Sequence, residues 1–158
     1  SPTMQQFQEE LGLEVLAGKE ALDNKVENII VAAMSPQNMI KYLEDGSLVV
    51  VPGDRIDNIL ASVNAHLLKE KGQAPRISGM LLTGGFIPPP GVREMVWQAG
   101  VPVLLDTEDT ATAAFKARNM VAKIREEDKD KIQLAEELVG GWGSRVEVKR
   151  IFDSVPDE

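Results

Sequence analysis

The stretch that decides the fold is SLVVVPGDR, residues 47–55. Its first six residues form a short, mainly apolar run, which is typical of a strand that is buried on both faces. Gly53 then provides a turn, and Asp54 is a favoured N-cap residue for the helix that we expect over residues 54–71. The apolar positions that predict one buried stripe of this helix are Ile56, Leu60, Val63 and Leu67.

The same strand–turn–helix pattern recurs on both sides of this stretch. The other predicted strands are residues 13–17, 24–34, 76–82 and 101–105. The other predicted helices run from Thr3 to Gly12, from Ser35 to Gly46, over 91–99 and over about 108–125. Buried apolar strands that alternate with helices predict an α/β domain around a largely parallel sheet.

Residues 126–158 differ in character from the rest of the chain. They begin with the charge run REEDKDK, continue in a pattern that is helical to Val139, and are then broken by GGWGS. The following RVEVKRIFDSV fits either a strand or a helix. We therefore predict an α/β domain over residues 1–125 and a short C-terminal appendage, helical or extended, over residues 126–158.

The composition excludes several classes of protein. The 158 residues include no cysteine, so thiol catalysis, disulfides and cysteine-based metal sites are excluded. His66 is the single histidine, and we expect it to be a surface or partly buried residue of a helix rather than a catalytic base. No EF-hand spacing and no Walker A loop occurs, so we predict neither a metal site nor a cofactor.

Charge and hydropathy limit the classes of partner and the cellular location that we expect. The net charge of −8 argues against nucleic acid, whose phosphates an acidic chain repels. No apolar run approaches the roughly 20 residues that a membrane span needs, and the first ten residues, SPTMQQFQEE, are too polar for a signal peptide. We therefore expect a cytoplasmic protein without a membrane partner. The start at Ser-Pro leads us to expect a piece of a longer protein.

Three strand-to-helix turns contain residues that could bind a ligand: Gly53-Asp54-Arg55, Thr83-Gly84-Gly85 and Asp106-Thr107. In a parallel sheet such turns share one edge, where helix N-termini attract anions. We expect one shallow site for a small anionic metabolite or nucleotide, with Arg55 free to reach Asp106 or the anion. The candidate ligand-binding residues are Asp54, Arg55, Thr83, Gly84, Gly85, Asp106 and Thr107.

Each of these residues also has a purely structural explanation. Asp54 is a good helix cap, and Arg55 could simply pair with a neighbouring carboxylate. The two glycines could serve only to supply positive φ at a tight turn, with Thr83 bonded to the backbone.

The segments VVVPGDR, GMLLTGG and GVPVLLDTEDTATAA, with AAMSPQNMIKYLEDGSLVV upstream, resemble the DRTGG domain family. Its name describes Asp54-Arg55 and Thr83-Gly84-Gly85, and the resemblance runs over about residues 10–125. It implies a three-layer α/β/α sandwich similar to the N-terminal domain of HPr kinase/phosphorylase, and a regulatory role. In that family the domain adjoins a P-loop, dethiobiotin-synthetase-like domain, a phosphotransacetylase catalytic domain or CBS domains, so an adjoining P-loop domain is implied here.

The resemblance and the residues together favour a non-catalytic regulatory domain of a phosphotransacetylase-related protein, which senses a ligand but has no phosphotransacetylase or ATPase activity itself. A dimerisation or docking module without ligand is an alternative, which the Phe86-Ile87-Pro88 loop, Trp97 and the appendage support. A small hydrolase or transferase that uses Asp54 or Asp106 is a third. We expect a homodimer, because the apolar IPPPG loop and two tryptophans offer surface for a partner.

Overall fold

A computed structural model describes residues 1–70 and 76–140. The strands are β1 (Glu14–Ala17), β2 (Asn28–Val31), β3 (Ser47–Pro52), β4 (Gly79–Thr83) and β5 (Val103–Leu105). The helices are α1 (Met4–Leu11), α2 (Pro36–Met39), α3 (Ile56–Glu70), α4 (Pro90–Gln98) and α5 (Thr110–Val139). The strands form one sheet in the order β1-β5-β4-β3-β2, and this order positions every element of the candidate site.

Four of the five strands are parallel. β2, β3, β4 and β5 lie side by side in chain order, whereas β1 pairs antiparallel with β5 at the far edge. Because each crossover from β2 to β5 steps in the same direction, α2, α3 and α4 all cover one face of the sheet. α1 and α5 cover the other face. The predicted three-layer α/β/α sandwich around a largely parallel sheet is confirmed.

The apolar run in β3 explains why this strand lies in the middle of the molecule. Val49 and Val51 pack against the layer of α2, α3 and α4, whereas Leu48 and Val50 pack against α1 and α5. All four side chains are fully buried. Alternate residues of a strand point to opposite faces, so a continuous apolar run is what a sheet covered on both sides requires.

The helix that follows β3 differs from the prediction at its start and in its buried stripe. It begins at Ile56, and the Arg55 carbonyl accepts the first helical hydrogen bond from the Ile59 N–H at 3.1 Å. Asp54 therefore lies in the turn, and Arg55 takes the N-cap position expected for Asp54. The buried residues of this helix are Asn58, Ile59, Ser62, Val63, Ala65 and His66. Three of them, Asn58, Ser62 and His66, are polar. The buried stripe is rotated around the helix axis from the predicted one because α3 packs against α2, where the Ser62 hydroxyl donates to the Met39 sulfur.

The other boundaries shift for local reasons. α2 is a single turn followed by a 3-10 turn, and the chain becomes extended at Leu43 instead of remaining helical to Gly46. Leu43 is buried, and an extended backbone there lets its side chain enter the core. The predicted capping of α1 is confirmed, since Thr3 and Gln6 form a reciprocal capping box and Gly12 ends the helix in the left-handed conformation.

α5 continues without a break through the predicted boundary between residues 125 and 126, and ends at the predicted Val139. Its charge run lies on a helix that still packs near the domain, where the amino group of Ser1 lies 3.4 Å from Asp128. The division into residues 1–125 and 126–158 stays a prediction. The predicted helix end at Gly72, the GGWGS break after Gly140 and the conformation of RVEVKRIFDSV lie outside the described residues.

Candidate functional site at the carboxyl ends of the strands

The three turns singled out in the sequence lie side by side along one edge of the sheet. Since β3, β4 and β5 are parallel neighbours, the turns that follow them leave the sheet at the same end. Two of the turns are in direct contact through the Gly53 N–H, which donates to the Thr83 carbonyl at 3.1 Å. The topology therefore brings the turns together, but the seven candidate residues divide into two groups.

The first group joins the turn after β4 to the loop after β5. The Gly84 N–H donates to the Glu108 carbonyl at 2.7 Å, and the Gly85 N–H donates to the Asp106 carbonyl at 2.9 Å. Both glycines have positive φ, +79° and +74°, which glycine adopts without strain. Their N–H groups are thus committed within the protein rather than presented to a ligand.

Side chains reinforce this first group. The hydroxyl oxygens of Thr83 and Thr110 lie 2.7 Å apart, and the Thr83 side chain is buried. The carboxylate of Asp106, also buried, accepts the Glu108 N–H at 2.9 Å and so shapes the loop that leads into α5. Thr107 is exposed at the surface of the loop.

The second group consists of Asp54 and Arg55. The Arg55 Nε donates to the Asp57 carboxylate at 3.1 Å, and its Nη2 donates to the Met34 carbonyl at 3.3 Å. Arg55 is thus directed towards the end of β2, away from β5, and the expected reach to Asp106 is wrong.

Carboxylates already occupy two of the helix N-termini at this edge, those of α3 and α5. Asp109 accepts the N–H and the hydroxyl of Thr112, each at 2.9 Å, and these bonds lower the pKa of Asp109. The hydrogen bond from Arg55 and the backbone bond from Asn58 lower the pKa of Asp57 in the same way. At α3 and α5 an anionic ligand would therefore not meet the bare helix N-termini that the sequence suggested.

A cleft of about 270 Å³ opens beside the first group. It lies where β1 starts and β5 ends, next to the C-terminal end of α1. Its lining residues are Leu11, Gly12, Leu13, Glu14, Leu105, Asp106, Thr107, Glu108 and Lys116. Lys116 pairs with Glu108 at 3.1 Å and is the cation of the cleft.

Two of the predicted site residues, Asp106 and Thr107, line this cleft, but most of its wall was missed. The sequence gives no sign that β1 returns antiparallel beside β5, so Leu11 to Glu14 could not be placed there. The pair of Glu108 and Lys116 could not be predicted from helical spacing, because side chains meet on a helix face when they are three or four residues apart, and these two are eight apart.

The cleft lies at the carboxyl end of β5 on the side of β1, and none of its lining residues belongs to β4 or to the turn after β4. The topological switch point of the sheet lies next to it, between β4 and β5. The chain leaves β4 for α4 on one face of the sheet and leaves β5 for α5 on the other face. A crevice opens between two such strands at their carboxyl ends, and ligands of open α/β sheets bind there. His66 lies elsewhere, on α3, where 4% of its surface is exposed, so it is more deeply buried than the expected surface or partly buried position.

Neither a metal centre nor a membrane span occurs in the part of the chain that the structure describes. Within residues 1–70 and 76–140, no three acidic or histidine side chains are grouped so that they could hold a metal ion. Over the same residues, no helix is both long and apolar enough to cross a bilayer.

Comparison with known proteins assigns the sequence to one family. The sequence model described as "DRTGG domain" matches residues 6–120. The chain is 38% identical over 138 residues to a phosphate acetyltransferase of Nitratidesulfovibrio vulgaris, and the match covers 85% of this chain and 19% of that protein. It is 29% identical over 134 residues to a phosphate acetyltransferase of Pseudomonas aeruginosa, with 83% and 18% covered. The chain thus spans about a fifth of the length of these curated relatives.

A similar fold occurs in the CBS and DRTGG domains of the regulatory region of Clostridium perfringens pyrophosphatase, complexed with the activator diadenosine tetraphosphate. The TM-score is 0.55 at 19% sequence identity, and the match covers 70% of this chain and 44% of that chain. At this identity the likeness shows the fold alone.

Proposed function

The chain belongs to the DRTGG domain family, and on that premise we propose that it is a non-catalytic regulatory domain that senses a nucleotide in the cleft at the end of β5. The observation that carries the proposal is the position of this cleft at the carboxyl end of β5 and at the start of α5, because ligands of open α/β sheets bind at the carboxyl ends of the strands. A ligand there would contact the start of α5, so binding could shift the position of a helix that is 30 residues long.

The charges of the cleft favour a nucleotide over a bare anion. Glu14, Asp106 and Glu108 line it together with Lys116. Three carboxylates repel inorganic phosphate, but they accept hydrogen bonds from ribose hydroxyls and from the amino group of a base. Lys116 would take a phosphate group. The cleft volume of about 270 Å³ lies just below the range of small-molecule sites, which run from about 300 to 1,000 Å³.

The family relatives support the regulatory role. The regulatory region of the Clostridium pyrophosphatase is complexed with a dinucleotide activator, and curated relatives of much greater length are phosphate acetyltransferases. We propose that this domain acts within such a longer, cytoplasmic protein, beside a P-loop domain, and has no acetyltransferase or ATPase activity of its own. In this proposal residues 1–125 form the domain that binds the ligand, and residues 126–158 pass the resulting change to an adjoining domain or contact a partner.

Thermal unfolding in the presence of candidate ligands tests the proposal. We expect AMP, ATP or diadenosine tetraphosphate to raise the melting temperature, and inorganic phosphate and acetyl phosphate to leave it unchanged. Lys116→Ala should abolish the rise. The matched control is Lys123→Ala, because Lys123 is also on α5, in an ion pair with Glu10 at 4.0 Å, but does not line the cleft. A rise that survives Lys116→Ala, or no rise with any nucleotide, contradicts the proposal.

A docking module without ligand is the second candidate, and one observation favours it. Phe86 and Ile87, in the loop after β4, and Met95 on α4 expose 52%, 42% and 56% of their surface. Exposed apolar side chains on consecutive elements could be covered in a homodimer. Light scattering distinguishes the two candidates: a dimer that Phe86→Ser dissociates, combined with no nucleotide effect, would favour docking.

A further inference from the structure

The two edges of the sheet differ in how their backbone is protected. At one edge the register of β1 against β5 shifts between Val15 and Ala17, which marks a bulge. At the other edge β2 pairs with β3 in unbroken register over all four of its residues. Bulges protect an edge strand from pairing with another chain, whereas a regular apolar edge is a template for it. The edge of β2 is therefore the unprotected one.

Hydrogen bonds identify the groups that β2 presents outward. The Ala32 N–H donates to the Val50 carbonyl at 2.9 Å, so even-numbered residues here face β3. Backbone groups of alternate residues point to opposite sides of a strand, so Ile29 and Val31 face outward. The Val31 carbonyl accepts from the Ala33 N–H at 2.9 Å. Across the described ranges, no hydrogen bond engages the Val31 N–H or either backbone group of Ile29.

A positively charged groove runs beside this edge. It has a volume of about 320 Å³ and lies between the start of β2 and α5. Its lining residues are Glu27, Asn28, Ile29, Arg118, Val121, Ala122 and Arg125.

The two arginines share one face of α5, because they are two helical turns apart. Arg125 donates to the Glu27 carbonyl at 3.0 Å. Arg118 is exposed and makes no hydrogen bond or ion pair with any described residue. A chain with a net charge of −8 thus keeps a free arginine next to an open strand edge.

We propose that the edge of β2 binds an extended acidic segment of a partner protein, which adds to the sheet as a sixth strand. Its backbone would pair with Ile29 and Val31. The side chains of these two residues pack towards the α5 layer, so alternate side chains of the added strand would also point to α5. Carboxylates at those positions would meet Arg118 and Arg125 in charge-assisted hydrogen bonds.

A second copy of this chain fits the edge less well. Antiparallel pairing of two β2 strands about a two-fold axis would bring both α5 helices to the same face of the joined sheet. Arg118 and Arg125 of each copy would then face those of the other, and like charges across a strand pair are destabilising. The positive groove therefore favours an acidic partner. This inference does not depend on nucleotide binding at the opposite end of the sheet.

Fluorescence anisotropy of the full chain with a labelled peptide of alternating glutamate and valine tests the proposal. We expect saturable binding that weakens with added salt, and no binding of the matching lysine–valine peptide. Val31→Pro should abolish binding, because proline removes the outward N–H while the ladder to β3 does not use it. Val31→Ala is the matched control, since it loses as much side-chain packing but keeps the N–H.

The charge is tested separately, on a residue whose replacement leaves the packing intact. Arg118→Glu should weaken binding about tenfold or more, as loss of a charge pair in a groove does. Lys19→Glu makes the same change of charge at the opposite edge and should leave binding unchanged. Equal binding of both peptides, or unchanged binding by the folded Val31→Pro variant, would overturn the proposal. A dimer that Val31→Pro dissociates, without peptide binding, would assign the edge to a second copy instead.

Discussion

The two halves of the candidate edge are held by different kinds of contact. In the β4–β5 half, the Gly84 and Gly85 N–H groups bond to carbonyls of the loop after β5, and the contacts are backbone to backbone. In the β2–β3 half, the Arg55 side chain bonds to Asp57 and to the Met34 carbonyl, and it remains partly exposed. Backbone contacts in a tight turn fix geometry, whereas an exposed arginine can exchange partners. The first half is therefore a scaffold and the second half is adaptable.

The largest expected effect comes from Gly53, a position where the two halves touch. A Cβ on Gly53 would overlap the carbonyl oxygen of Phe86, which is backbone and cannot turn away. We expect Gly53→Ala to destabilise the protein by about 2–3 kcal/mol, the cost of overpacking at a rigid contact. Urea unfolding followed by circular dichroism measures it.

The control for this prediction is a glycine in open space. A Cβ on Gly91, in the first turn of α4, would have no atom within 4 Å. Gly91→Ala should therefore be neutral or stabilise by about 0.5–1 kcal/mol, since alanine restricts the unfolded chain. Equal losses in both variants would refute the contact between the turns as the cause.

A smaller effect is expected within the β4–β5 half, where backbone conformation alone is at stake. Gly85 has φ of +74°, and a Cβ there would meet nothing closer than 3.9 Å. Gly85→Ala should cost about 1–2 kcal/mol, the penalty of the left-handed conformation without a clash. Gly85→Asn should cost less, because asparagine tolerates this conformation. If alanine and asparagine destabilise equally in urea unfolding, the backbone explanation is wrong.

The comparison extends to the two carboxylates with lowered pKa. Bonds from Thr112 lower the pKa of Asp109, whereas the Arg55 side chain is the main cause of the lowered pKa of Asp57. We expect Arg55→Ala to return the pKa of Asp57 towards 3.8, its ordinary value, while the pKa of Asp109 stays low. NMR titration of the carboxyl carbons measures both.

The direction of the pH dependence follows from these lowered values. A carboxylate whose pKa is lower in the folded state stabilises the protein fully above its ordinary pKa, and this contribution is lost as the pH falls through the folded value. Lowering the pH should therefore protonate Asp109 and weaken the cap of α5. The stability of Asp109→Asn should fall less with decreasing pH than that of the wild type. A pKa of Asp57 that does not change in Arg55→Ala would refute the proposed cause.

The sequence predicted the sheet better than the site. The apolar run of β3 and the glycine turns after β3 and β4 are local signals, so the parallel sheet and its shared edge could be inferred. The direction of Arg55 could not, because it depends on where the Met34 carbonyl lies in the loop between β2 and α2. The cleft could not be inferred either, because its wall at Glu14 comes from an antiparallel strand far away in the chain.

The smallest expected effect on stability is that of Arg55→Ala, and it is also the sharpest test of the two halves. Arg55 and Asp57 are an exposed pair, and such pairs contribute little to folding because water and salt screen them. We therefore expect the urea midpoint of Arg55→Ala to equal that of the wild type within error. If nucleotides bind only in the cleft beside β5, the variant should also keep the full ligand-induced rise in melting temperature. If the rise is lost while the midpoint is unchanged, Arg55 has exchanged Asp57 for the ligand, and the site extends across both halves of the edge.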